Sequence, residues 1–115
     1  MKFGLLTAIL EGTTFEEAVD FAAENQLECL EVACWPNTGG AKRRYAGVCH
    51  IDAEALTEEK AKEIIQYCKE RNVEISSLGY YPNTLDPDLE KRKQYIDHIS
   101  ALIDASSMLN VNMVT

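Results

Sequence analysis

Positive charge is scarce in this chain. Lysine and arginine number 11 against 19 aspartates and glutamates, a formal net charge of −8 over 115 residues. Nucleic-acid backbones are gripped by clustered lysine and arginine, so the balance argues against such a partner. It still permits a small anionic substrate held by a local basic group. Long apolar runs are missing as well, and nothing approaches the roughly 18 apolar residues of a membrane helix. The short N-terminal run, MKFGLLTAILEG, is interrupted by Thr7 and closed by Glu11. No small-residue cleavage site follows it, so it reads as a buried strand and not as a signal peptide. The four cysteines, Cys29, Cys34, Cys49 and Cys68, form no Cys-x-x-Cys pair. They are expected as buried free thiols in a reducing cytoplasm. No P-loop, Gly-x-Gly-x-x-Gly or Gly-x-Ser-x-Gly motif is present.

What the chain does have is a repeat. A strand over about Lys2 to Thr7 leads to a helix whose start is marked twice. Thr13 and Thr14 each precede a glutamate by three residues, and either pair makes a capping box. Phe15, Ala18, Val19 and Ala22 form the i, i+3, i+4, i+7 stripe of a helix packed on a sheet, and Asn25 suits a left-handed stop. A second strand over about Glu28 to Ala33 has the near-continuous apolar character of one covered on both sides. The second helix, about Thr57 to Arg71, buries Ala61, Ile64, Ile65 and Cys68 and stops at Asn72. Val73 to Gly79 is a third strand. Asp86-Pro87 reads as N-cap and first residue of a third helix, with Tyr95, Ile99, Leu102, Ile103 and Ser106 on one face. Asn110 closes it, and Val111 to Thr115 opens a fourth strand. The fold class is α/β, a parallel βαβαβαβ run forming one partial domain over residues 1–115. A (β/α)₈ barrel needs about 250 residues, so the chain reads as the N-terminal half of one.

Ligands of βα-repeat folds bind at the carboxyl ends of the strands. The loop after the second strand exceeds twenty residues, where about 2–6 is usual, and it reads as a lid or substrate wall, with a decorative insertion as the plain alternative. Trp35 follows the strand directly and could stack on the apolar face of a sugar ring, or simply pack over the mouth. Glu31 shares a face with Cys29, Ala33 and Trp35. On a central strand it would be buried and would need a partner: a substrate hydroxyl, a metal ligand, or a lysine or arginine from another strand. Cys49, His50 and Asp52 resemble a fragment of a metal site without the spacing of one; the other readings are a turn cap for Asp52 and a substrate hydrogen bond for His50. His98 reads as a helix-face residue away from the site. Lys42-Arg43-Arg44 could meet a sugar phosphate or lie solvated. Tyr81 and Asn83, in Gly79-Tyr80-Tyr81-Pro82-Asn83, carry groups that can read polyol hydroxyls, with loop scaffolding as the plain alternative.

FGLLTAIL, LECLEVACWP, RRYAGVCHID and especially ISSLGYYPNTLDPD together resemble the sugar phosphate isomerase/epimerase family, the xylose-isomerase-like TIM barrels. The resemblance covers essentially the whole chain but only the first half of the family's fold. It implies a barrel that binds a divalent metal (Mn²⁺, Mg²⁺, Co²⁺ or Zn²⁺) and moves protons next to a carbonyl of a sugar or polyol. The family's metal-binding residues come from later strands, so neither a metal site nor a catalytic residue is expected within residues 1–115. Glu31 occupies the family's second-strand glutamate position, which is not a metal ligand. Trp35, His50, Tyr81 and Asn83 match positions that line the substrate side. Two further readings stay open: a non-catalytic half-barrel that self-associates or complements another half, and a DNA-repair endonuclease of the same superfamily, which the acidic balance disfavours. A cytoplasmic homo-oligomer acting on a small molecule, with no nucleic acid and no membrane, is the expected setting.

Overall fold

The computed structural model describes residues 1–37 and 47–115. Lys42, Arg43, Arg44 and Tyr45 lie outside the described residues. The elements run β1 (Gly4–Leu6), a 3₁₀ turn (Thr7–Ile9), α1 (Phe15–Glu24), β2 (Cys29–Ala33), α2 (Glu58–Glu70), β3 (Glu74–Gly79) and α3 (Leu89–Leu109). The sheet order is β1-β2-β3, with both pairings parallel. Of the fourth strand expected over Val111 to Thr115, the structure shows a single parallel bridge, Val114 to Leu78, three residues beyond the expected start. Three βα units and the start of a fourth are therefore in place. No described helix is long and apolar enough to cross a membrane.

Each helix starts on a side-chain acceptor. Thr14 caps α1, and both halves of its box with Glu17 form. Thr57 caps α2 by accepting from Lys60 N at 3.2 Å. The third start falls two residues later than Asp86-Pro87 suggests. Asp88 is the cap, accepting from Glu90 and Lys91 N, while Asp86 accepts from Asp88 N and forms the turn before it. The left-handed stops are Asn72 and Asn110, as read from sequence, but at α1 it is Gln26 and not Asn25 that has positive φ. The Asn25 side chain donates instead to the Phe21 carbonyl.

Leu30, Val32, Cys34 and Leu78 are fully buried against the helices, where they meet Val19, Ala22, Ala61, Leu102 and Ala105. The opposite face of the sheet is only partly covered: Cys29 and Glu31 are half-buried. Thus β2, expected to be covered on both sides, is sealed on one and on the other only at Ala33. β1 is also shorter and more open than a buried strand, with Phe3 62% exposed beside it.

A register shift between Leu30 and Glu31 sets which side chains face where. Leu30 pairs with Ile75, but Glu31 pairs with Ser77, so Ser76 is an extra residue. Its hydroxyl donates to the Leu30 carbonyl at 3.1 Å. A one-residue slip reverses the faces of everything beyond it. Here the slip keeps Leu78 in the core beside Val32 and puts Gly79 beside Ala33, on the side of Glu31.

Candidate functional site

Three strand ends converge on one rim, and each contributes differently. From β2 comes Trp35. Its backbone N–H donates to the Val48 carbonyl, and His50 N–H donates to the Ala33 carbonyl. These two bonds flank an antiparallel bridge between Cys34 and Cys49, so the long loop leaves and returns as a short ribbon. From β3 come Tyr80 and Tyr81. The Trp35 ring meets Tyr81 edge-on with centroids 5.3 Å apart and Tyr80 at 5.9 Å. Tyr80 in turn meets His98 at 4.6 Å. Edge-to-face pairs of this kind bring a positive ring edge to a negative face. The result is an aromatic row, His98–Tyr80–Trp35–Tyr81, running from the core to the surface. Tyr80 is buried, and that burial holds its phenol above the ordinary range. Tyr81 is half exposed and available.

Glu31 lies beside this row. Thr115, on the fourth strand, donates its hydroxyl to Glu31 Oε1 at 2.7 Å. The carboxylate reaches there across Gly79. A Cβ at position 79 would stand 2.9 Å from Glu31 Oε1 and 3.1 Å from the Tyr81 hydroxyl oxygen. The missing side chain of Gly79 is therefore what lets a carboxylate and a phenol share one spot on the sheet. Glu31 was expected to be buried and to need a lysine or arginine if its role were structural. It is half-buried and takes a threonine hydroxyl, because the open face leaves it partly solvated. Its second oxygen accepts no hydrogen bond from the described residues.

His50 sits at the end of β1 and does not join the aromatic row. Its Nδ1 is 2.8 Å from Thr7 Oγ1 and its Nε2 is 3.2 Å from Thr13 Oγ1. The roles follow from the threonines. Thr13 spends its proton on the Leu10 carbonyl, so toward His50 it can only accept, and Nε2 carries the hydrogen. Thr7 accepts from Ala33 N–H and donates to the bare Nδ1. A neutral ring satisfies every partner. Burial holds its pKa below the ordinary 6.5, opposed in part by the Thr13 and Leu10 carbonyls. With both nitrogens occupied, the ring ties the β1 end to the ribbon. Asp52 Oδ1 accepts from Glu54 and Ala55 N–H, the turn-cap role foreseen for it. Asn83 Oδ1 accepts from Leu85 N–H, which is loop scaffolding at an exposed position.

His98 was read as lying away from the site, and the structure reverses this. It is 3% exposed. Nε2 lies 2.7 Å from the Cys34 carbonyl and Nδ1 lies 2.9 Å from Glu54 Oε1. Both partners are acceptors, so a ring nitrogen that bonds either of them does so as a donor. His98 thus pins the backbone one residue before Trp35. The sequence carried one sign of this: positions 98, 102, 105 and 109 have helical spacing, and they are the four buried residues of α3. Thr7, Thr13 and Tyr80 were also missed as organisers of the rim.

A metal does not fit the described residues. No three His, Cys, Asp or Glu side chains come together among them as a site for one. In the cluster of Cys49, His50 and Asp52, both His50 nitrogens and Asp52 Oδ1 are engaged in the bonds above.

The family model described as xylose isomerase-like TIM barrel matches residues 19–115. Among solved structures, D-psicose 3-epimerase with D-tagatose from Clostridium cellulolyticum H10 superposes with a TM-score of 0.64 at 16% identity, over 99% of this chain and 36% of that one. A xylose isomerase domain protein from Planctomyces limnophilus gives 0.64 at 11% identity, over 98% and 39%. The probable 3-DHS dehydratase AsbF from Bacillus anthracis, involved in petrobactin synthesis, gives 0.63 at 22% identity, over 99% and 37%. A search of curated proteins gives no match. The chain spans less than two-fifths of these solved structures, and its strands and helices match the N-terminal part of their barrel. The chain belongs to the xylose isomerase-like TIM-barrel family.

Proposed function

We propose that this member of the family contributes the substrate wall of a sugar or sugar-phosphate isomerase or epimerase of the cytoplasm. The observation that carries the reading is the meeting of Trp35, Tyr81 and Glu31 over Gly79 at the carboxyl ends of β2 and β3. The half-exposed aromatic edge offers an apolar surface to the C–H face of a sugar. The Glu31 oxygen that accepts nothing from the described residues accepts from a sugar hydroxyl, and the Tyr81 hydroxyl donates or accepts beside it. These groups bind and orient. The proton transfer next to the carbonyl, and the divalent metal that assists it in the family, are assigned to residues outside this chain, so no catalytic step is routed through the residues above.

Trp35 is the only tryptophan, so its emission reports on this wall alone. Titration with D-tagatose should change that emission saturably, and Tyr81→Ala or Glu31→Gln should weaken the response several-fold. An emission that stays flat, or responds equally in both variants, would reject the reading.

One observation favours a second, non-catalytic reading. Among the described residues β1 pairs on one side only, and Phe3 and Met113 are 62% and 56% exposed. Unpaired strand edges and apolar faces recruit partners. Two copies could close one barrel, strand four of each pairing with strand one of the other. Light scattering at micromolar concentration should then give twice the 12.9 kDa chain mass; a folded monomer would exclude it.

A further inference from the structure

We propose that Cys34 and Cys49 are a redox pair, closing to an intrachain disulfide across the ribbon that carries Trp35. The inference rests on the backbone and not on the sugar reading. The two cysteines face each other in an antiparallel bridge. The bonds Trp35 N–H to Val48 carbonyl and His50 N–H to Ala33 carbonyl lie on either side of the pair, which makes it the non-hydrogen-bonded kind. Facing Cα atoms in such a pair are about 4.5 Å apart and their side chains are close. That distance lies within the roughly 4.4–6.8 Å that a disulfide spans.

The other pairings are blocked by placement. Cys29 points to the opposite face of β2 from Cys34, and Cys68 lies on α2. All four thiols are free in this state. Cys34 is fully buried, whereas Cys49 is half-buried, so Cys49 is the thiol an oxidant meets first.

The chemistry balances with a low-molecular-weight disulfide as oxidant. The Cys49 thiolate attacks it, forming a mixed disulfide and expelling one small thiolate. Cys34 then attacks the Cys49 sulfur and expels the second. Two protein thiols become one disulfide, one small disulfide becomes two small thiols, and the protein's two protons pass to the leaving thiolates. Burial pushes the Cys49 thiol up to about 11 and the Cys34 thiol higher. Closure should therefore be slow near neutrality and accelerate about tenfold per pH unit as the thiolate fraction grows. A pair of this kind responds to sustained oxidation and ignores brief exposure.

The test is to incubate the full chain with oxidised glutathione under denaturant-free conditions. The expected product is lighter by two hydrogen atoms, with the thiol count falling from four to two. Double digestion after Glu and after Lys or Arg separates Cys29 from Cys34 at Glu31 and Cys34 from Cys49 at Lys42. It should return the Val32–Lys42 and Tyr45–Glu54 peptides as one linked species. A Cys29→Ser/Cys68→Ser variant should close in the same way, while Cys49→Ser should leave Cys34 reduced. Four thiols persisting at equilibrium, a glutathione adduct that never resolves, or a link through Cys29 or a second chain would each overturn the proposal. Because the mapping is done on the unaltered sequence, a variant that fails to fold does not blunt it.

Discussion

The chain has two histidines, and they hold neighbouring parts of one rim by different means. His50 stands between two threonine hydroxyls at the β1 end and satisfies them as a neutral ring. His98 stands between a backbone carbonyl and a carboxylate, which can only accept. The side chain is the same; the partners differ. The difference also sorts the rim by purpose. His50 locks the base of the ribbon, whereas His98 supports the aromatic row from beneath through Cys34 and Tyr80. Both nitrogens of each ring have a partner, so the proposed recognition rests on Trp35, Tyr81 and Glu31.

The sharpest way to break this comparison is His98→Ala. It removes a 3% exposed ring, leaves the Cys34 carbonyl without its donor and takes away the edge contact with Tyr80. The expected cost is about 3 kcal/mol in urea unfolding; a loss below about 1 kcal/mol would mean that His98 is not the support described. Glu54 is 64% exposed, so Glu54→Gln should change stability by less than about 1 kcal/mol. The counterpart on the other side is Thr7→Val. It keeps the shape but strands the Ala33 N–H and His50 Nδ1, at a cost of about 2 kcal/mol.

The smallest effect is the pH dependence contributed by His50. Its folded pKa lies below the unfolded 6.5, so the unfolded chain binds the proton more readily. The stability it contributes is fully present above about pH 6.5 and is lost as pH falls through the folded value. His50→Gln should flatten the stability profile in that window, and an unchanged slope would contradict the neutral assignment.

Much of the fold was legible because one periodicity dominated each segment. α1 has a single apolar stripe, Phe15, Ala18, Val19 and Ala22, and all four are buried. The capping threonines and two of the three left-handed asparagines fell where local chemistry puts them. α3 misled because it is apolar on two sides. Leu89, Ile96 and Ile103, seven residues apart, are exposed by 73%, 52% and 55%. That second stripe drew the expected face toward Ile103 and Ser106 and away from His98 and Ala105. The site was legible where position alone sufficed, as with Trp35 directly after a strand. It was not legible where a partner lies far along the chain. Glu31 meets Thr115 84 residues on, His98 meets Cys34 64 residues back, and the one-residue slip that sets Gly79 beside Glu31 leaves no local mark.

The proposed function places a sugar on the rim at the carboxyl ends of the strands. Amide and indole chemical-shift mapping with D-tagatose tests it most directly. Perturbations should centre on the Trp35 indole N–H and on the amides of Gly79, Tyr81 and Thr115. Perturbations centred instead on Asn72, Val73 and Asn112, which line a cavity of about 890 Å³ at the opposite end of the strands, would contradict it.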